Sequence, residues 1–181
     1  SPLYDRLAAA GAEFGSYGGW ERADWFPENA ADRRPADSYD RQHWFDAVGD
    51  ECRHVAAHAG IIELTGFSRF HVTGDGADEW LTTQITGNMP RVGRIGLAYF
   101  ASPKGKILTE MTVTRLAEND FLLMTGAGAY WHDRDLLMAS LPSGGSITIN
   151  DVTRNLATLL VTGPKAPAIL ADMTGQSMTH D

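Results

Sequence analysis

The spacing of apolar residues changes from a helical period to a strand period near residue 60. In residues 44–59, Trp44, Val48, Cys52 and Val55 recur at intervals of three and four, which predicts an amphipathic helix. This periodicity puts Cys52 on the apolar side of the helix. We therefore expect a small buried residue at that position and not a reactive thiol.

After residue 60 the apolar period falls to two, which is typical of β-strands. Three predicted strands, 94–101, 107–116 and 121–125, are separated only by short turns and predict an antiparallel meander. An antiparallel sheet with packed helices is an α+β fold. The other predicted elements are strands at 61–64, 67–72, 146–152 and 156–162, helices at 77–85 and 129–141, and a last helix opened by Pro164.

The first 43 residues carry a weaker pattern than the rest. Residues 2–12 have a short helical pattern, whereas residues 26–40 are polar and contain two prolines. We expect residues 1–43 to form an extended lead-in segment and loop. Residues 44–181 are then the α+β body of the same domain.

Composition excludes several classes of function. The chain of 181 residues is 43% hydrophobic, which is enough to bury a core. A formal net charge of −8 without a basic cluster argues against nucleic-acid binding and against attachment to an anionic membrane. No apolar run approaches the ~20 residues that span a bilayer. A single cysteine fits a reducing compartment, so we expect the cytoplasm, or the mitochondrial matrix in a eukaryote.

Two histidines come nearest to a metal motif. His54 and His58 lie four residues apart on one helix face, as two metal ligands would. A zinc protease has glutamate directly after the first histidine, where this chain has Val55. No third ligand is apparent in the sequence. We therefore predict a solvated helix face and no metal site.

Glycine and serine motifs are also incomplete. The segment Gly126-Ala127-Gly128 follows a predicted strand and precedes a predicted helix, as a phosphate-binding loop does. Trp131 and His132 occupy the place of the third glycine, so we predict a strand-to-helix turn whose N–H groups could still hold a carboxylate. Ser68 and Ser102 lack the flanking glycines of a nucleophile elbow. No catalytic triad is expected.

The strand at 107–116 carries more information. Because side chains alternate along a strand, Glu110, Thr112 and Thr114 share one face, while Met111 and Val113 share the other. Glutamate in the middle of a strand runs against β propensity. Two interpretations remain open. The polar face is the solvent side of a half-buried sheet, or Glu110 lies at the mouth of a cavity, where it can take or hold a proton.

Short motifs follow one another in a fixed order along nearly the whole chain. They begin with Ser1-Pro-Leu-Tyr-Asp-Arg-Leu, Gly18-Gly-Trp-Glu-Arg22 and Trp25-Phe26. They continue with Gly60-Ile-Ile-Glu-Leu-Thr-Gly-Phe-Ser-Arg-Phe70, Pro90-Arg-Val-Gly93, Ser102-Pro-Lys-Gly-Lys-Ile-Leu-Thr-Glu-Met-Thr-Val113, Phe121-Leu-Leu-Met-Thr-Gly-Ala-Gly128 and Thr162-Gly-Pro-Lys-Ala166. In order and spacing the chain resembles the folate-binding half of the dimethylglycine and sarcosine dehydrogenases. That half is similar to the glycine-cleavage T protein, an aminomethyltransferase.

The resemblance implies the aminomethyltransferase folate-binding fold, an α+β fold whose subdomains surround a tetrahydrofolate site. This chain would be its N-terminal part. The resemblance also implies that Glu110 occupies the position of an aspartate that approaches the folate nitrogen receiving the one-carbon unit. The glutamate is one methylene longer than that aspartate. The implied folate contacts are Phe67, His71, Leu97, Thr112 and Thr114.

The function implied by the resemblance is one-carbon transfer. In the leading hypothesis, tetrahydrofolate beside Glu110 captures an iminium or formaldehyde equivalent as 5,10-methylenetetrahydrofolate. A small methylated amine would supply that unit after oxidation on an FAD-containing dehydrogenase domain or subunit outside this chain. Two alternatives remain. One is a free-standing aminomethyltransferase that takes its carbon from a carrier protein, and the other is a non-catalytic subunit that serves assembly.

Overall fold

The computed structural model of the protein describes residues 3–28, 39–42 and 44–178. The chain divides into two compact units, one formed by Gly66–Leu156 and the other by Ser1–Thr65 with Ala157–Asp181. The elements in chain order are α1 (Tyr4–Ala9), β1 (Glu13–Tyr17), β2 (Trp20–Trp25), α2 (Trp44–Ala57), β3 (Gly60–Glu63), β4 (Phe67–Thr73), α3 (Ala77–Gln84), β5 (Ile85–Thr86), β6 (Ile95–Ala101), β7 (Ile107–Ala117), β8 (Asp120–Gly126), α4 (Tyr130–Ala139), β9 (Thr148–Asp151), β10 (Leu159–Thr162) and α5 (Ala166–Thr174).

The unit Gly66–Leu156 is built on a six-stranded antiparallel sheet with the strand order β5-β6-β7-β8-β4-β9. Alternation along each strand sends every second side chain into a core against α3 and α4, because burying apolar area is the main favourable term in folding. The buried cluster includes Phe70, Val72, Trp80, Leu81, Phe100, Met111, Val113, Phe121, Leu123 and Leu137. We call this side of the sheet the covered face.

In its described residues, the unit Ser1–Thr65 with Ala157–Asp181 contains two small antiparallel ribbons. Strands β1 and β2 form a hairpin around Gly18 and Gly19, and glycine pairs favour such tight turns. Strands β3 and β10 pair with each other, so the N-terminal and C-terminal parts of the chain meet in this unit. The backbone N–H of Lys165, just before α5, donates to the carbonyl of His58 at 2.8 Å.

The α+β fold and the antiparallel meander are confirmed, since β6, β7 and β8 are adjacent in the sheet. The β1–β2 hairpin was not predicted, although its Gly18-Gly19 pair is a readable turn signal. The end of the helix predicted at 77–85 is also different. Ile85 pairs with Phe100 on β6, so the chain leaves the helix one residue early to extend the sheet.

The prediction that Cys52 is buried is wrong, because its side chain is exposed. Helix α2 has the expected amphipathic pattern, but it contains no fully buried residue. Val48 and Val55 on its apolar side are only half-buried. Helical periodicity identifies the side of a helix that favours burial; it does not reveal whether another element covers that side.

Candidate functional site

Strand β7 separates two kinds of residue by alternation. Met111 and Val113 are 1% and 0% exposed in the core, whereas Glu110, Thr112 and Thr114 point to the opposite side of the sheet. We call that opposite side the site face. On the four central strands it carries Phe67, Arg69 and His71 of β4, Leu97 and Tyr99 of β6, Glu110, Thr112 and Thr114 of β7, and Leu122, Met124 and Gly126 of β8.

The strand register brings all the predicted site residues onto this one face. Leu97 lies opposite Thr112, which in turn lies opposite Met124. Thr114 lies opposite Leu122, and Leu122 lies opposite His71. Directly opposed residues on paired strands point the same way. The predicted residues therefore share a surface, although they come from three separate strands.

The face has two ends. At one end Tyr99 lies directly opposite Glu110, and Phe67 lies opposite Gly126. His71 lies at the other end. Strands are about 4.8 Å apart and residues rise about 3.4 Å along them, so Glu110 and His71 are roughly 17 Å apart. A ligand that reaches both would have to be elongated.

Glu110 is exposed on this face. Its carboxylate is accessible in the part of the chain that the structure describes, and its placement at the mouth of a cavity stays a prediction. Within that part of the chain, the side chains of Tyr99, Glu110, Thr112 and Thr114 form no hydrogen bond or ion pair. Their polar groups remain available to a ligand.

Apolar residues lie beside these polar groups. On β6, Ile95 and Leu97 are 62% and 57% exposed, and Tyr99 is 37% exposed. The face is not uniformly open, because Arg69 is buried and its Nη1 donates to the carbonyl of Phe67 at 2.8 Å. A surface that combines exposed apolar groups with unbonded polar groups fits an amphipathic small molecule.

His71 is held by a carboxylate. Its Nε2 lies 2.7 Å from Oδ1 of Asp120, and both side chains are about one-third exposed. When Nε2 carries the proton and donates to Asp120, Nδ1 is left as an acceptor. The pair orients the imidazole at the far end of the site face.

The covered face contains a polar network that the sequence analysis missed. The carboxyl group of Asp133 on α4 is fully buried and accepts a hydrogen bond from Thr125 Oγ1 at 2.6 Å. The other carboxyl oxygen lies 2.8 Å from Nδ1 of His132. Thr125 Oγ1 is also 3.4 Å from the carbonyl oxygen of Glu110, so the network reaches the backbone behind that residue.

A second polar contact joins α4 to the edge strand β9. Tyr130 Oη donates to Oδ2 of Asp151 at 2.8 Å, and this hydrogen bond, aided by burial and by the Asp151 charge, raises the pKa of Tyr130. Burial alone would raise the pKa of Asp151. Hydrogen bonds from Thr153 and Tyr130, together with the charge of Arg154, outweigh burial and lower that pKa.

The two candidate metal ligands are stacked on α2. The rings of His54 and His58 have centroids 4.7 Å apart and planes 16° apart. Among the residues that the structure describes, no cluster of three or more histidine, cysteine or acidic side chains could hold a metal ion. Over the same ranges, none of the helices has the length and apolar character needed to cross a bilayer.

Comparison with known proteins identifies the family of this fold. The family model described as the GCVT N-terminal domain matches residues 3–181. The chain belongs to the GCVT N-terminal domain family. Human mitochondrial dimethylglycine dehydrogenase is 30% identical over 182 residues, which are 100% of this chain and 21% of that protein. The 4-methylaminobutanoate oxidase (formaldehyde-forming) of Paenarthrobacter nicotinovorans is 30% identical over 184 residues, which are 100% of this chain and 22% of the oxidase.

A solved structure agrees with the family assignment. The glycine cleavage system aminomethyltransferase T from Bartonella henselae is 27% identical and superposes with a TM-score of 0.73 over 95% of this chain and 42% of that one. The resemblance to this family is confirmed, as is the aminomethyltransferase-like fold. The chain spans about a fifth of the curated relatives it matches. It is an aminomethyltransferase-like domain related to amine dehydrogenases and oxidases.

Proposed function

We propose that this domain binds tetrahydrofolate on its site face and serves folate-dependent one-carbon transfer. The observation that carries the proposal is the convergence of Phe67, His71, Leu97, Thr112 and Glu110 on one face of one sheet in a GCVT-family domain. Tetrahydrofolate, when bound, supplies the nitrogen pair that captures an iminium or formaldehyde equivalent as 5,10-methylenetetrahydrofolate. The site fits an elongated, amphipathic ligand, because it is about 17 Å long and mixes apolar with unbonded polar groups.

Each residue has a definite role in this proposal. The Glu110 carboxylate accepts a proton from the ligand nitrogen that receives the one-carbon unit. Thr112 and Thr114 donate hydrogen bonds to the ligand body from the same strand. Leu97 and Phe67 pack against its apolar parts, and His71 contacts the ligand at the far end. Holding the reactants in position is the main contribution, and proton transfer is the second.

The wider reaction is part of the proposal. A small methylated amine would be oxidised on an FAD-containing dehydrogenase domain or subunit, and its one-carbon unit would pass to this domain. The curated relatives named as a dehydrogenase and a formaldehyde-forming oxidase support that source. The compartment would be the cytoplasm, or the mitochondrial matrix in a eukaryote. In the alternative that the domain is a free-standing aminomethyltransferase, turnover would require a carrier protein in place of the free amine.

Glu110→Gln in the full-length protein tests the proposal. The substitution removes the proton acceptor and keeps the shape, so folate-dependent formation of 5,10-methylenetetrahydrofolate should fall by about 10²-fold while amine oxidation is unchanged. Glu118→Gln is the matched control, because Glu118 is an exposed glutamate just after β7 and outside the site face. Unchanged folate-dependent turnover in Glu110→Gln would remove Glu110 from the mechanism.

A second candidate function is a non-catalytic role in assembly. It is favoured by the β3–β10 ribbon, where Ile61, Ile62, Leu159 and Leu160 are all exposed. Exposed apolar patches mark surfaces that bind other polypeptides. Calorimetric titration of this chain with tetrahydrofolate separates the two functions. Binding in the micromolar range supports the one-carbon module, and the absence of heat at high folate concentration supports the assembly role.

A further inference from the structure

Gly126 is a glycine that the fold does not require. It is the last residue of β8, with φ −62° and ψ 135°, a conformation open to every L-residue. A Cβ built on it would meet no heavy atom within 4 Å, and the residue is exposed. Glycine weakens a strand relative to alanine, so at this position the chain gives up strand stability and leaves the space above the backbone empty.

The neighbours of Gly126 define that space. Phe67 on β4 is its direct partner. On the other side of Gly126 is β7. Thr112 lies opposite Met124, so the same register two residues further on brings Glu110 level with Gly126. The 3.4 Å contact between Thr125 Oγ1 and the Glu110 carbonyl oxygen agrees with this register. Glu110 and Phe67 are thus two strands, or about 10 Å, apart with bare backbone between them.

This juxtaposition leaves a gap on the site face with backbone at its base, and we call this gap the recess. It lies between Glu110, which has Tyr99 directly opposite it on β6, and Phe67 on β4. Carbon atoms in contact are about 3.5–4.0 Å apart, so any side chain at Gly126 would occupy the layer that a flat ring lying on the sheet would fill. The recess therefore suits the planar end of a heterocyclic ligand.

Building on the proposed function, we propose that Gly126 is the floor of the ring subsite and determines which ligands the site face accepts. The planar heterocycle lies on the Gly126 backbone, with its polar edge toward Glu110 and its face or rim against Phe67. The bareness of Gly126 keeps the reacting nitrogen at the height of the Glu110 carboxylate. A methyl group there would lift the ring away from that carboxylate.

Substitution of Gly126 separates ligand binding from folding. Gly126→Ala and Gly126→Val fit the observed backbone and meet no neighbour, so the melting temperature should stay the same or rise. The affinity of the full-length protein for tetrahydrofolate, measured by calorimetry, should fall at least tenfold for Gly126→Val and by less for Gly126→Ala. Gly128→Val is the matched control, because Gly128 is exposed and its Cβ also meets nothing within 4 Å, and it should bind folate within twofold of wild type.

The outcomes distinguish this inference from the function on which it rests. If wild type binds folate and Gly126→Val binds equally well, the ring subsite is wrong and the one-carbon function stands. If wild type binds no folate, the ring subsite and the proposed one-carbon function are both wrong. A large drop in the melting temperature of Gly126→Ala would also overturn the inference, because it would mean that polypeptide and not ligand occupies the recess.

Discussion

The buried carboxyl group of Asp133 gives a direct test of how the covered face is held together. Asp133 is 0% exposed, accepts a hydrogen bond from Thr125 at 2.6 Å and lies 2.8 Å from a ring nitrogen of His132. Asp133→Ala removes the acceptor and leaves the Thr125 hydroxyl in the core without its main partner. We expect the substitution to destabilise the domain.

The magnitude follows from these contacts. A buried hydrogen bond to a carboxyl group contributes about 1.5–3 kcal/mol to stability, and a buried donor left without an acceptor costs about 1–3 kcal/mol. Thr125 can turn toward the carbonyl oxygen of Glu110, which is already 3.4 Å away, and so recover part of the loss. His132 is largely exposed and can bond to water instead. The net loss for Asp133→Ala should be about 2–3 kcal/mol.

Urea denaturation followed by circular dichroism measures this loss. The midpoint should fall by about 1 M without a change in slope. Asp135→Ala is the control on the same helix, since its exposed carboxylate pairs, among the described residues, only with Arg134. It should change stability by less than about 0.5 kcal/mol. Adding Thr125→Val to Asp133→Ala should cost less than the sum of the two single changes. Equal stabilities for the two aspartate variants, or strict additivity, would refute the network.

Two further outcomes concern a close backbone contact and a pH dependence. Gly74→Ala should destabilise the domain by roughly 2–4 kcal/mol in urea denaturation, because at φ +121° its Cβ would lie 1.9 Å from the Ser146 carbonyl oxygen. Gly76→Ala is the control, because Gly76 has φ +83° and no neighbour within 4 Å of its Cβ. This second substitution should cost only about 1 kcal/mol. The lowered pKa of Asp151 means that the folded state favours its ionised form. Asp151 therefore contributes to the free energy of unfolding at pH values above the ordinary carboxyl pKa, and this contribution is lost as the pH falls through the folded-state pKa. The stability difference between wild type and Asp151→Asn should therefore shrink on acidification. In that variant the pKa of Tyr130, measured by spectrophotometric titration, should fall toward its ordinary value. A stability difference that stays constant with pH would contradict this assignment.

Much of the sheet could be predicted from the sequence, because the alternation that defines each strand involves only neighbouring residues. Alternation alone separates Met111 and Val113 from Glu110 and Thr112, and the structure keeps that separation. The register across strands is not local, because it depends on loop lengths and on the packing of the whole core. The convergence of His71 with the β7 residues therefore came only from the family resemblance.

The polar network on the covered face shows a different limit. Asp133 lies four residues before Leu137 and three after Tyr130, so helical periodicity places it on the stripe of α4 that packs into the core. That signal was present in the sequence, but an aspartate is usually assigned to the solvent side of a helix. Only the position of Thr125 on the opposing strand explains why a carboxyl group is tolerated there.

Exposure by itself does not decide between the two interpretations of Glu110. A solvent-facing strand and an open ligand site both leave the carboxylate accessible. The residues beside Glu110 distinguish the two interpretations. The solvent side of an antiparallel sheet is expected to be polar throughout, yet β6 presents Ile95 and Leu97 with more than half of their surface exposed. Gly126 adds a weak strand former where the backbone permits any residue. A ligand lying across the face would use both features, which supports the ligand-site interpretation that Glu110→Gln tests.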